Sequence, residues 1–218
     1  MADNGTLLAR GPDDSTWLGR NGQYRKLPPY PGDRFNAVGV NSSGTIAGYL
    51  PAYLPYPTVL FRDGAYTEVV PATAQFSLVG IDGQDRVAGT LYGSQLRAAV
   101  WNGQQLVALP TTVESRARAV NERGAVVGFD NQRPTIWHGS TYEREVVPIH
   151  SGTLSGISPR GTVAGYGREL ANSADTAYFV SLNGFIQWYE RRGHVTPNLM
   201  RVNDGGVSIV NAPTYDLQ

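Results

Sequence analysis

Hydrophobic residues arrive along this chain in bursts of four to six, each closed off by glycine, proline, asparagine or aspartate. No window sustains an apolar i, i+3, i+4, i+7 face through three turns. The pattern therefore predicts short strands joined by tight turns, with no long helix. The apolar share of 41% supplies a core and sets the chain well apart from disordered sequences.

The bursts repeat. Stretches 40–48, 81–89, 120–128, 157–165 and 202–210 share one layout, and a partial copy opens the chain at Asn4-Gly5-Thr6-Leu7-Leu8-Ala9. A β-branched residue comes first, then Asn, Asp or Ser, then a turn glycine, and finally an apolar strand that in four copies ends in Ala-Gly or Val-Gly. The turn position falls at residues 5, 44, 85, 124, 161 and 206 (Asp85 in the third copy), at intervals of 39, 41, 39, 37 and 45. The Asx residue bonds its own backbone, and glycine takes the positive-φ position that reverses the chain.

A second hairpin follows each motif, with an aromatic ahead of its turn: Trp17, Phe61, Trp101, Trp137 and Phe179. The fixed place of the tryptophans predicts packing between sheets rather than sugar stacking. A short apolar strand ending in proline closes several copies, as in Val69-Val70-Pro71, Leu109-Pro110 and Val146-Val147-Pro148. Four short strands in about 40 residues predict an all-β chain folded as a small β-propeller. The expected unit is one domain over 1–218, with repeats near 1–34, 35–75, 76–115, 116–152, 153–198 and a partial one at 199–218. Five four-stranded blades are expected, the ring closed by the C-terminal strand, with six blades as the alternative.

The pattern Asn-x-x-Gly-x-[Val/Ile]-[Ala/Val]-Gly followed by an aromatic-x-Gly hairpin resembles the HAF repeat, described as a probable extracellular repeat. The resemblance spans 5–210 and implies a repeated β architecture while saying little about activity. It implies an exported protein, yet Met1-Ala2-Asp3-Asn4-Gly5 carries neither a basic nor an apolar leader, so the expected location is the cytoplasm. The fifth copy departs from the pattern, with 168–176 inserted between its strands.

Charge narrows the partners. Eighteen basic residues balance eighteen acidic ones and are scattered, so neither nucleic acid nor an anionic membrane is an expected partner. No apolar run approaches the ~18 residues of a membrane span. With no cysteine and three scattered histidines (His138, His150 and His194), no metal and no cofactor is expected. No Gly-x-Ser-x-Gly elbow appears.

Candidate chemistry comes from the ends of the thin Ala-Gly strands. If those strands are innermost, Arg10, Tyr49, Thr90, Phe129 and Tyr166 converge on one axial mouth, where aromatics and polar groups together make a ligand pocket. Arg168 stands beside them. The proline-stiffened segment carrying Tyr49, Tyr53 and Tyr56 forms one wall. Asp130, Arg10 and Glu169 are the candidates for acid–base help. The loops between strands differ in every copy, which favours one asymmetric pocket over a lectin with repeated sites. The expected function is binding of a small molecule or glycan by a monomer. The alternative is an enzyme of specialised metabolism (cyclase, isomerase, lyase or hydrolase) using the same pocket.

Overall fold

The computed structural model describes the chain except for residues 1, 3, 33, 53, 169–176, 183, 190–198, 203–207 and 212–218. Strands and turns make up nearly all of it, with one 3-10 turn at Ala72–Ala74. No helix among the described residues is long and apolar enough to cross a membrane.

The strands fall into consecutive antiparallel sheets. The first contains β1 (Leu7–Arg10), β2 (Thr16–Arg20) and β3 (Gln23–Lys26). The second contains β4 (Asn36–Val40), β5 (Ile46–Tyr49), β6 (Thr58–Arg62) and β7 (Ala65–Val70). The third follows with β8 (Phe76–Ile81), β9 (Val87–Leu91), β10 (Arg97–Trp101) and β11 (Leu106–Ala108). The fourth holds β12 (Ser115–Val120), β13 (Val126–Asp130), β14 (Arg133–His138) and β15 (Glu143–Val146). The fifth holds β16 (Ser151–Ile157), β17 (Val163–Arg168), β18 (Ala177–Leu182) and β19 (Phe185–Tyr189), and β20 (Leu199–Val202) pairs with β21 (Ser208–Asn211) beyond it. Every sheet runs in chain order, and the first strands pack on one another in sequence: β4 on β8, β8 on β12, β12 on β16, and β16 on β20. That is the radial arrangement of a β-propeller, with five blades in order. Among the described residues the first blade has three strands and no inner one; β20 packs next to β16 and pairs with β21.

The core lies between blades rather than inside one. Leu18 packs with Val40, Ile46, Val59 and Phe61 at the first junction, and Val127, Ile136, Leu154 and Phe179 meet at the fourth. The middle two strands of the second, third and fourth blades are buried on both faces, which is why their apolar bursts are continuous instead of alternating.

The Asx motifs make one turn five times over. The amide of its first residue donates to the carbonyl four residues on: Ala2 to Thr6 (2.8 Å), Asn41 to Thr45 (3.1 Å), Asp82 to Arg86 (3.0 Å), Asn121 to Ala125 (3.1 Å) and Ser158 to Thr162 (2.8 Å). Asn41 Oδ1 accepts from Thr45 N–H, and Asn121 Oδ1 accepts from both Arg123 and Ala125. The free amide then reaches the next blade: Asn41 Nδ2 donates to the Asp82 carbonyl (2.8 Å), and Asn121 Nδ2 to that of Ser158 (3.0 Å). The asparagine thus shapes its own turn and fastens it to its neighbour.

The thin strand is second, not innermost. The inner strands are β4, β8, β12 and β16, and the sequence-based placement at the axis is corrected accordingly. The strand-end glycine answers a different demand. In each of four blades the inner strand has a bulge directly after the residue facing that glycine: Ala37 opposite Gly48, Leu78 opposite Gly89, Ala117 opposite Gly128, and Leu154 opposite Gly165. The bulge drives an inner-strand carbonyl onto the glycine, so a methyl at 128 would collide with the Arg116 carbonyl oxygen. Gly128→Ala should cost about 1–3 kcal/mol, the range for a forced overpacking. Gly93→Ala, in an open loop, should stay within about 0.5 kcal/mol. Urea midpoints that fail to separate the two variants would count against the close approach.

A second correction concerns the aromatics. Phe61, Trp101 and Trp137 are in register, facing Ile46, Val87 and Val126. Trp17 faces Ala9 and Phe179 faces Gly165, each two residues nearer the start of its strand. Gly19 holds the place of Phe61 in the first blade.

Candidate functional site

Two ends of the propeller differ in character. The Asx turns and the tight hairpins at 21–22 and 63–64 form the turn end. The longer loops 50–57 and 92–96, together with the inter-blade connections 71–75 and 109–114, form the loop end. Each of Arg10, Tyr49, Thr90, Phe129 and Tyr166 sits at the loop end of a second strand. They share an end of the molecule, but Tyr49, Thr90, Phe129 and Tyr166 do not line its axis, because β4, β8, β12 and β16 stand between them and it.

Their individual environments diverge. Arg10 is exposed and ion-paired to Asp14 (2.6 Å), whose other oxygen binds Arg34 (2.8 Å). Nearby, bonds from Lys26 and Ser15 hold the Asp13 carboxyl well below the usual carboxylate range. Thr90 is buried, and its hydroxyl accepts the Ala117 amide of the next blade (3.3 Å), so it is a junction residue. Phe129 and Tyr166 are half-buried between their strand partners, Arg116 with Pro134 and Thr153 with Tyr178. Arg168 is exposed at the end of β17. Tyr53 and Glu169 lie outside the described residues.

Asp130 requires a correction. Its side chain is 0% exposed and its carboxylate is fully engaged. It accepts the Thr111 hydroxyl (2.6 Å), the Thr112 amide (3.1 Å) and the Thr112 hydroxyl (3.2 Å), and pairs with Arg144 Nε at 2.6 Å. Buried and engaged by these donors, the carboxylate is held as a structural tether rather than presented to a ligand. It ties the connection entering the fourth blade to that blade's outermost strand.

Tyr49 and Tyr56 do come together. Their ring centroids are 5.0 Å apart at an interplanar angle of 32°, on the loop whose Leu54–Pro55 peptide is cis. Leu54 (80% exposed), Tyr56, Tyr92 and Val113 are four of the six large exposed hydrophobics among the described residues, and all four lie at the loop end, on the second and third blades and the connection after them. Segments 50–57 and 92–96 contain no charged residue.

Sequence reasoning overlooked two arginines. Arg118 is the bulged residue of β12, exposed at the inner edge and without an ion pair among the described residues. Arg116 Nε is buried without a hydrogen-bond partner among the described residues, with Glu114 Oε1 3.7 Å away. Ser115-Arg116-Ala117-Arg118-Ala119, a charge at every second position of an inner strand, was the available signal. Among the described residues no three His, Cys, Asp or Glu side chains gather as a metal site.

The fold and this surface define the class, a β-propeller whose loop end carries two uncharged, aromatic-bearing segments on its second and third blades. No described protein family matches the sequence, and no curated protein matches it. Among solved structures the chain is similar to that of YCF48 bound to D1 peptide, at 16% identity and a TM-score of 0.48, over 92% of this chain and 69% of the other.

Proposed function

We propose that the protein is a binding module whose loop end, over the second and third blades, takes a neutral small molecule or glycan. The observation that carries this reading is the Tyr49–Tyr56 pair, with Tyr56 and Leu54 exposed on its loop and Tyr92 exposed at the same end of the next blade. Apolar side chains kept in water on one face mark a surface that is covered when in use. Tyrosine suits sugars in particular: its ring packs on the C–H face of a pyranose while its hydroxyl bonds the ring's own hydroxyls. The absence of charge from both loops matches a neutral ligand. The enzyme alternative loses its central carboxylate, since Asp130 is occupied structurally.

The test is an array of neutral oligosaccharides, backed by a thermal-shift panel of neutral small molecules, probed with the intact protein. Tyr56→Ala and Tyr92→Ala should each weaken the strongest hit at least ~10-fold, equivalent to about 1.4 kcal/mol. Phe185→Ala, exposed at the turn end, should bind like the wild type. Tyrosine variants that bind normally, or no hit in either library, would overturn the reading.

A further inference from the structure

In two blades an arginine ends the strand before the second hairpin turn, and only one of the two meets a carboxylate on the next blade; the facing turn position is glycine at 44, 124 and 161 and aspartate only at 85. At the second junction Arg62, the last residue of β6, donates from Nη1 to Asp85 Oδ2 of the next blade's turn at 3.0 Å. Arg20 is the counterpart of Arg62 in the first blade: each ends the strand before a positive-φ turn, facing Gln23 and Ala65 respectively. The counterpart of Asp85 is Gly44. Both amides donate to the carbonyl three residues back, Asp85 to Asp82 (3.2 Å) and Gly44 to Asn41 (3.0 Å), and both have positive φ. Arg20 and Gly44 line one cavity, so the position equivalent to Asp85 offers Arg20 no carboxylate.

A cavity of about 330 Å³ lies between Arg20 and Gly44. Thr6, Arg20, Arg25, Ser42, Ser43 and Gly44 line it, and no acidic residue does. Arg20, Arg25 and Thr6 share one sheet face, since Arg25 lies opposite Leu18, Gln23 opposite Arg20, and Thr6 one step beyond the Leu7–Gly19 pair. Neither arginine has an ion pair among the described residues. The volume falls within the ~300–1,000 Å³ of small-molecule sites.

We propose that this cavity, at the opposite end from the tyrosine surface, binds a small oxyanionic ligand whose carboxylate or phosphate occupies the place that the Asp85 carboxylate fills one junction further on. Arg20 supplies the planar N–H fork that carboxylates and phosphates prefer. Arg25 adds a second positive charge on the same face. The site is independent of the glycan surface, and either can fail without the other.

The experiment is a titration of the ¹⁵N-labelled protein, following the arginine Nε–Hε resonances with succinate in one arm and inorganic phosphate in the other, at constant ionic strength. Saturable shifts of Arg20 and Arg25 in either arm are expected, and the arm that saturates identifies the oxyanion. Arg20→Gln should weaken binding at least 10-fold. Gly44→Asp, which restores the internal carboxylate in a turn where Asp85 already tolerates positive φ, should do the same by occupying the site. Arg62→Gln should change nothing. Saturation in neither arm, or undiminished binding by the Arg20→Gln variant, overturns the proposal. If Gly44→Asp gives a poorly dispersed spectrum, the exposed Arg20→Gln variant carries the test alone.

Discussion

Asp130→Ala is expected to destabilise the protein by about 3–5 kcal/mol, the cost of stripping one partner from a buried ion pair. The carboxylate has no exposed surface, while Arg144 keeps 31% of its side chain in water, so the arginine can partly rehydrate once the pair is broken. The threonine donors are also partly open to water, Thr111 half-buried and Thr112 exposed. The Thr112 amide and the Thr111 hydroxyl lose their acceptor together, and each orphaned donor costs about 1–3 kcal/mol when water cannot replace the bond. These costs overlap, because the 109–114 connection will loosen and recover some hydration. For a chain of this size the melting temperature should fall by roughly 10 °C. Asp130→Asn, which keeps an acceptor but loses the charge, should lie between Asp130→Ala and the wild type. If Asp130→Ala melts within about 2 °C of the wild type, the tether is not structural and the catalytic assignment regains its footing. Thermal unfolding followed by far-ultraviolet circular dichroism distinguishes the cases.

The turn end was readable from the sequence because its geometry is local. Asn41, Asp82, Asn121 and Ser158 each bond to an amide four residues away, and that relation is written in the Asn-x-x-Gly spacing itself. The onward staple from Asn41 to the Asp82 carbonyl joins residues 41 apart, one repeat length, so the period implies it. The order of strands within a blade was not readable in the same way. An Ala-Gly pair reports that something comes close to the backbone, and a crowded axis or a bulged neighbour would demand it equally. The bulges at 37/39, 78/80, 117/119 and 154/156 decide for the neighbour, and they have no local signature.

The site was legible in one part and hidden in another. Tyr49 and Tyr56 are seven residues apart on a proline-rich loop, so their meeting follows from a short stiff connection. The partners of Asp130 are a pair of threonines 18 and 19 residues upstream and an arginine on another strand, and nothing in the sequence marks them as ligands of that carboxylate. The cavity between Arg20 and Gly44 lies between these extremes. The exchange of glycine for Asp85 stands out on alignment of the repeats, but its meaning needs Arg62, which the alignment does not connect to it.

Trp137→Ala should match Asp130→Ala in size, at about 3–5 kcal/mol, through a different physical cause. Trp137 is fully buried at the third junction, where it packs with Ala88, Ala98, Val100 and Leu109 of one blade and Ala117 and Val126 of the next. Those neighbours are mostly small, so no side chain can swing in to fill the space, and a cavity remains. The indole N–H also donates to the Pro110 carbonyl (2.8 Å), fixing the connection that carries Thr111 and Thr112 towards Asp130. Trp137→Phe keeps most of the volume and loses that bond, so a cost of about 1–2 kcal/mol is expected. Trp17→Ala provides the contrast. Trp17 looks equivalent in the sequence, but it stands two residues out of register, is half-buried, and donates to Ser15 Oγ (2.8 Å) within its own loop. Its truncation should cost less than half as much as that of Trp137. Equal urea midpoints for the two alanine variants would mean that the tryptophans are interchangeable after all, and that register within the blade does not decide which aromatic holds adjacent sheets together.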